Sequence, residues 1–462
     1  MNILILGAGQ VGTTVAHSLA REEANEVTII DRDAEVLREL QDRLDVRTII
    51  GNAAYPEVLE RAGARDADMI IALTDSDEVN MIACRIVQTL FRTPTKIARI
   101  RAGEYMRHAE LFDPSCLAVD VCVSPEALVT EYIEQLIHYP GALQVLEFAD
   151  GRVRLVAAQA HGGQLVGRPV RELLRHVPNV AGRIVAIYRG GVGIIPEDDT
   201  IVDEGDEVFF IAARRDIRPL LREMRKLDEP VRRVVIAGGG NIGLRLARAL
   251  EATNNVKIIE KGWQRARQIA ELLNKAVVLH GDAADEELLI EENIDSADVF
   301  VAVTNAEEAN ILSAMLAKRL GAHKVMASIN RPAYAELVES GTIDIAISPP
   351  QITLGTVLAH VRRGDVVKVH SLRRGAAEAI EAVAHGSPSP SRVTGRAIGE
   401  IPLPRGAAIS AVVRGETVLM ADPETVIEPD DHVILFVADR RQIDEVERLF
   451  EAGPAASNGG SR

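Results

Sequence analysis

The chain writes one long pattern twice. A glycine-rich strand-to-helix turn opens it as "MNILILGAGQVGTTVAHSLA" and returns more than two hundred residues later as "RVVIAGGGNIGLRLARAL". The likeness runs well past the glycines: "ADMIIALTDSDEVNMIACRIVQTLF" from Ala67 matches "ADVFVAVTNAEEANILSAMLAKRLG" from Ala297. "IIGNAAYPEVLERAGARDADM" answers "VLHGDAADEELLIEENIDSADV", pairing Gly51 with Gly281 and Asn52 with Asp282. Later still, "IPEDDTIVDEGDEVFFIAARRDI" from Ile195 resembles "ADPETVIEPDDHVILFVADRRQI" from Ala421. A whole two-part unit is duplicated, so any fold proposed for one half must serve the other.

Within each unit the first part alternates short β-branched runs with amphipathic helical stretches, the pattern of a parallel sheet covered on both faces. In the first copy the strands are expected near Asn2 to Leu6, Glu26 to Ile30, Arg47 to Ile50, Met69 to Leu73, Lys96 to Arg101 and Asp120 to Val123. Six such strands make a doubly wound, Rossmann-like α/β domain. After Tyr139, and again after Gly364, strands alternate with Gly/Pro/Asp turns, which predicts a small α+β lobe. The expected domains are 1–140 and 231–364 for the doubly wound lobes, 141–228 and 365–450 for the small lobes, and a disordered tail over 451–462. The polar "KLDEPVRR" reads as the linker between copies, and "HGSPSPSRVTG" as a surface loop.

Composition narrows the function. A net charge of -16 and a pI near 5.3 oppose a nucleic-acid partner, which clustered Lys and Arg would have to hold. No apolar run approaches the roughly 18 residues of a spanning helix, and the N-terminus reads as a strand, so a soluble protein is expected. Cys84, Cys116 and Cys122 lack metal-ligand spacing and suit a reducing cytoplasm.

Gly7, Gly9 and Gly12 follow a strand and open a helix. The first permits the tight turn, the second lets backbone approach a pyrophosphate, and the third lets helix pack on strand. The helix N-terminus presents unpaired N–H groups to the phosphates. Asp31, roughly 20 residues on, is placed to accept both ribose hydroxyls and to repel a 2′-phosphate, which favours NAD(H), ADP or ATP over NADP(H). Asn52, Thr74 and Arg99 fall on the same carboxyl edge of the sheet. Asn52 is positioned for adenine or ribose, Thr74 for the distal ligand and Arg99 for phosphate; each alone reads equally as a strand-end cap or a surface charge. The second copy repeats Gly238, Gly240, Gly243, Glu260, Asp282 and Thr304, but places Ser328 where Arg99 stands. Lys261 reads as an exposed turn lysine.

Nothing in the pattern builds a catalytic centre or a metal site. His161, His176, His370, His385 and His432 are scattered and do not correspond between copies. An NAD-dependent oxidoreductase remains the alternative, carried by the glycine fingerprint alone.

Taken together, "MNILILGAGQVG", "ALTDSDEVNMIA", "IARIRAGEY" and the paired C-terminal lobes resemble the TrkA-type regulatory subunits of Trk potassium uptake systems, with two tandem RCK (KTN) units. The resemblance covers almost the whole chain. It implies a cytoplasmic, non-enzymatic subunit, peripheral on the inner face of the membrane, assembling as a homotetrameric ring beneath a potassium-transporting membrane subunit. It implies NAD(H), with ATP or ADP as further ligands, controlling conduction. By motif position Gly7, Gly9, Gln10, Val11, Gly12, Asp31, Asn52, Thr74 and Arg99 would line one site. Gly238, Gly240, Asn241, Ile242, Gly243, Glu260, Asp282 and Thr304 would line the other, with Ser328 weakening its hold on phosphate.

Overall fold

Strand β1 (Asn2–Leu6) is apolar on both faces and lies at the centre of its sheet, as a strand sandwiched between helices must. In this computed structural model the described residues are 1–462 without 23, 227–229, 339–340, 363–364, 373–376, 386–390 and 451–462. The Ser-Pro stretch of the expected loop, the centre of the expected linker, the boundary at 364 and the tail lie outside the described residues.

Around β1 are β2 (Glu26–Asp31), β3 (Arg47–Ile50), β4 (Met69–Ala72), β5 (Thr95–Arg99) and β6 (Val121–Val123), all parallel, in the order β3-β2-β1-β4-β5-β6. The expected fifth strand ran on to Arg101, but β5 stops at Arg99. The backbone N–H groups of Arg101 and Ala102 turn aside to donate to Asp77 Oδ2, both at 2.8 Å.

An antiparallel sheet follows, made of β7 (Ala142–Phe148), β8 (Val153–Gln159), β9 (Gly182–Arg189), β10 (Val192–Ile194) and β11 (Glu207–Ala213). The second copy repeats both. Its parallel sheet has β12 (Arg233–Ala237), β13 (Asn255–Glu260), β14 (Val277–His280), β15 (Val299–Ala302), β16 (Lys324–Ser328) and β17 (Ile345–Ile347), in the order β14-β13-β12-β15-β16-β17. Its antiparallel sheet has β18 (Val366–Leu372), β19 (Ala377–Val383), β20 (Ala407–Arg414), β21 (Thr417–Met420) and β22 (His432–Val437). The result is α/β: two doubly wound lobes, or N-lobes, each followed by a small α+β lobe, or C-lobe.

The two C-lobe sheets pack face to face. Side chains alternate along β11, so Val208, Phe210 and Ala212 face their own lobe's core, while Phe209 and Ile211 join Ile434 and Phe436 of β22 in a shared core. Phe209 and Phe436 lie 6.4 Å apart, centroid to centroid.

The N-lobes exchange helices. Each ends in a long helix, Pro125–His138 in the first copy and Pro349–Val361 in the second. The first packs Val129, Ile133 and Ile137 into one core with Leu246, Ala247 and Leu250, on the helix that follows the second glycine turn. The second packs Leu354, Val357 and Leu358 with Val15, Ala16 and Leu19, on the helix that follows the first. Each copy therefore buries part of the other's apolar surface, and the duplicated chain folds as an internal dimer.

Candidate functional site: two glycine turns and their carboxylates

Backbone geometry gives each glycine of the first turn a separate reason. Gly7 has φ +98°, a left-handed conformation, and a Cβ there would stand 2.9 Å from the Leu73 carbonyl oxygen. At Gly12 a Cβ would stand 2.0 Å from the Gly7 carbonyl oxygen, so only glycine lets the helix Gln10–Leu19 come so near the turn. Gly9 has nothing within 4 Å of the same position. That open space at the helix N-cap is the room a pyrophosphate needs. No side chain caps the helix, and its first turn carries no acid, so its terminal N–H groups and positive dipole end face outward.

The second turn matches it closely. Gly238 has φ +107°, a Cβ on Gly243 would meet the Gly238 carbonyl oxygen at 1.9 Å, and Gly240 is open and uncapped. Gln10 and Asn241 are exposed beside these turns. Val11 is directed instead into the first lobe's core, and Ile242 packs partly against the second lobe's, so each offers the site only its backbone.

Asp31 ends β2 and grips the turn directly. Its Oδ2 accepts from the Ala8 N–H at 2.6 Å and its Oδ1 from the Asp33 N–H at 2.9 Å. Glu260 does the same one methylene further out, Oε2 accepting from Gly239 and Oε1 from Gly262, both at 2.7 Å. The longer acid needs space, and the sequence supplies it: Gly239 replaces Ala8, because a Cβ there would lie 3.0 Å from Glu260 Oε2 and 2.5 Å from Ile269 Cδ1. Ala8 with Asp31 and Gly239 with Glu260 are thus two solutions to one packing problem. A carboxylate has about four acceptor positions, so each retains capacity for two hydroxyls.

The other expected residues gather on the same edge, with more of their chemistry used internally. Asn52 Oδ1 accepts from the Ala54 N–H and Asp282 Oδ1 from the Ala284 N–H, both at 3.0 Å. Lys261 is exposed, and its Nζ donates to Asp282 Oδ2 at 2.8 Å. This contact, followed by the Ala284 N–H, holds the Asp282 carboxyl below the usual range. Thr74 lies against Gly7, but its hydroxyl donates to Asn80 Oδ1 at 2.7 Å; Thr304 repeats this on Asn310 at 2.6 Å.

Arg99 ends β5 and donates to Glu126 Oε1 at 3.1 Å, so its charge is matched within the protein. In the second copy the pair is replaced as a unit, Ser328 standing for Arg99 and Pro350 for Glu126. Loss of the arginine therefore removes a neutral pair, not a free cation. The second turn also has a cation of its own, since Arg265 Nε donates to the Gly239 carbonyl oxygen at 2.8 Å.

Two pairs of positioning residues escaped the sequence reading. Asn80 and Asn310, both fully buried, donate from Nδ2 to the Arg99 and Ser328 carbonyls at 2.9 and 3.0 Å. They tie the ends of neighbouring strands together. Asp77 and Glu307 accept the two N–H groups that follow β5 and β16. Their recurrence six and three residues after Thr74 and Thr304, in "TDSDEVN" and "TNAEEAN", was the available signal.

The five histidines singled out above lie in the C-lobes, away from both turns. His176 is 2.8 Å from Glu223, His432 is 2.6 Å from Glu381, and burial pushes His370 down to about 4. Among the described residues no group of three His, Cys, Asp or Glu side chains is arranged to hold a metal.

Doubly wound lobes with open glycine turns and strand-end carboxylates define a tandem protein of the Rossmann dinucleotide-binding class. The model of the TrkA-N domain matches residues 3–125 and 234–349, and that of the TrkA-C domain matches 158–225 and 388–451. The chain is 58% identical over 454 residues to the Trk system potassium uptake protein TrkA of Halomonas elongata, covering 98% of this chain and 99% of the relative. To the protein of the same name from Vibrio alginolyticus it is 54% identical over 456 residues, with the same coverage. Among solved structures, the RCK domain of GsuK superimposes with a TM-score of 0.62 at 19% identity, covering 97% of this chain and 94% of that one. The GsuK channel bound to NAD gives 0.61 at 19% identity, covering 97% and 79%. These two likenesses describe fold. The chain belongs to the TrkA family of Trk-system potassium uptake proteins.

Proposed function

We propose that this chain is the nucleotide-sensing regulatory subunit of a Trk-type potassium uptake system. NAD(H), or ATP or ADP, binds across the glycine turns of the two N-lobes, which are assigned to 1–140 and 231–364. The C-lobes, 141–228 and 365–450, carry the resulting movement to a potassium-transporting membrane subunit. The protein acts without catalysis, as a homotetrameric ring lying in the cytoplasm against the inner face of the membrane. Among the described residues no helix is long and apolar enough to cross a bilayer.

The observation that carries the reading is the exchange of helices. The helix opened by each glycine turn packs against the terminal helix of the other copy, so a ligand that draws one turn inward loads the opposite half of the chain. A ligand biases such an assembly by its difference in affinity between two shapes, typically about 1–3 kcal/mol per coupled site. The names of the relatives support the transport role, and the NAD bound by the GsuK channel supports the ligand.

The test is potassium flux through the reconstituted transporter with and without NADH and ATP. Gly9→Trp with Gly240→Trp should abolish nucleotide binding and leave flux insensitive to nucleotide, while the complex with the membrane subunit still forms. A nucleotide response that persists in this variant would place control outside the turns and defeat the proposal.

A further inference from the structure

We infer that Trp263 stacks on the base of an adenine nucleotide bound in the second N-lobe, so that the two glycine turns recognise the same ligand unequally. The inference rests on the nucleotide reading of the N-lobes given above and adds to it the group that meets the base.

Trp263 is the one tryptophan of the chain, and it is 65% exposed. A lone apolar residue on a surface needs no explanation. This one is held in place from three sides. It opens the helix Trp263–Leu272, three residues beyond the Glu260 carboxylate. Just before it, the Gly262 N–H donates to Glu260 Oε1 at 2.7 Å, and just after it, Arg265 Nε donates to the Gly239 carbonyl oxygen at 2.8 Å. Both bonds tie the first turn of this helix to the glycine turn and its acid. From the neighbouring strand, His280 at the end of β14 stands edge-on to the indole, with ring centroids 5.2 Å apart and planes at 83°. His280 is itself fixed, because its Nε2 donates to the Lys261 carbonyl oxygen at 3.1 Å. The indole is thus a preorganised aromatic surface open to water. A base is bonded directly to its ribose, so a nucleotide whose ribose hydroxyls lie on Glu260 carries its base to the ends of β13 and β14, where Trp263 and His280 stand.

The first copy is an internal control. Ala34 stands where Trp263 does, Ile50 where His280 does and Val36 where Arg265 does. There Asp33 caps the helix, accepting from the Glu35 and Val36 N–H groups at 2.8 and 3.3 Å. The fold therefore forms this corner without an aromatic ring, and the indole of the second copy is surplus to folding. Ile50, 56% exposed, offers a base an apolar contact but no π face. Stacking on an aromatic ring requires a base and is indifferent to phosphate, so it separates a nucleotide from its phosphates alone.

Because the chain has one tryptophan, its emission reports this position alone. Gly9→Leu closes the first site without adding a second indole. ADP is titrated into that full-length protein, with heat and emission followed together. ADP should quench the emission at the midpoint that calorimetry gives. Adding Trp263→Ala should weaken ADP at least about fivefold, as expected for loss of a base stack, and Trp263→Phe should restore most of it. Inorganic pyrophosphate, which has no base, should bind the Trp263 and Trp263→Ala proteins equally. The inference is overturned by ADP binding with unchanged emission, by equal ADP affinity in Trp263→Ala, or by a matching loss of pyrophosphate affinity, which would make the role of Trp263 structural. Emission that follows protein concentration instead of ligand would assign the indole to a contact between chains and also overturns it. So does absence of ADP binding in the Gly9→Leu protein: if wild type still binds ADP, the nucleotide reading stands at the first site, and if wild type does not, both fall.

Discussion

Arg362 Nη1 donates to Glu22 Oε1 at 2.6 Å, although 340 residues separate them. Arg362 follows directly on the terminal helix of the second N-lobe, and Glu22 lies just beyond the helix of the first glycine turn. The same guanidinium stands 3.2 Å from both Glu378 and Glu447 of the second C-lobe. One buried cation thus joins three of the four lobes. Replacing Arg362 with Met strands buried carboxylates, and the expected loss is about 3–5 kcal/mol of stability. Chemical denaturation measures it; a change under about 1 kcal/mol would mean that the lobes are held together by apolar packing alone.

Asp31 and Glu260 hold the glycine turns, and in the proposed function they hold the ligand as well. Asp31→Ala removes the partner of the Ala8 and Asp33 N–H groups and, with it, the proposed acceptor for the ribose. NADH affinity should fall by about 1.5–3 kcal/mol, and the unfolding midpoint should fall with it. Calorimetry and thermal unfolding on the same samples check this. A weaker ligand with an unshifted midpoint would show that the turn holds without the acid.

The glycines separate folding from binding. Gly12→Ala forces a methyl group against the Gly7 carbonyl oxygen and should cost about 3 kcal/mol. Gly9→Ala, at φ -68° and in open space, should cost under about 0.5 kcal/mol. Denaturation midpoints that rank these two the other way would contradict this geometry.

The ion pair of Arg99 predicts an inequality between the sites that differs from a simple count of cations. Glu126→Gln should free Arg99 and tighten phosphate-bearing ligands at the first site, with a steeper salt dependence. Arg99→Ser leaves Glu126 unmatched and should weaken the same ligands. Equal affinities for NADH in wild type and both variants would place Arg99 outside the site.

Glu251, which ends the helix of the second glycine turn, accepts N–H groups from Lys275, Ala276 and Asn274, and these draw its carboxyl from 4.5 down to about 2. A carboxyl depressed in the folded state stabilises it fully above the unfolded value and loses that contribution as the proton returns. Stability from this contact should therefore fade between pH 4.5 and 2. In Glu251→Gln the fall in stability across that window should be shallower; an identical acid profile would mean that Glu251 contributes nothing to it.

Much of this molecule is legible in its sequence. The two parallel sheets, the turn glycines and their acids follow from local requirements, namely strand-length apolar runs, a left-handed φ, and a backbone approach that excludes Cβ. Those needs are met within a few tens of residues, so they leave a readable pattern, and the duplication states them twice. Tertiary structure alone decided what the long terminal helices pack on, that Arg99 is matched by Glu126, and that Arg362 reaches Glu22. An amphipathic stripe such as Val129, Ile133 and Ile137 specifies a face to bury but not its partner, and a duplicated chain offers two almost equivalent partners. The choice depends on closing chain segments hundreds of residues long, and no periodicity in the sequence records which of the two closures places the larger apolar area out of water.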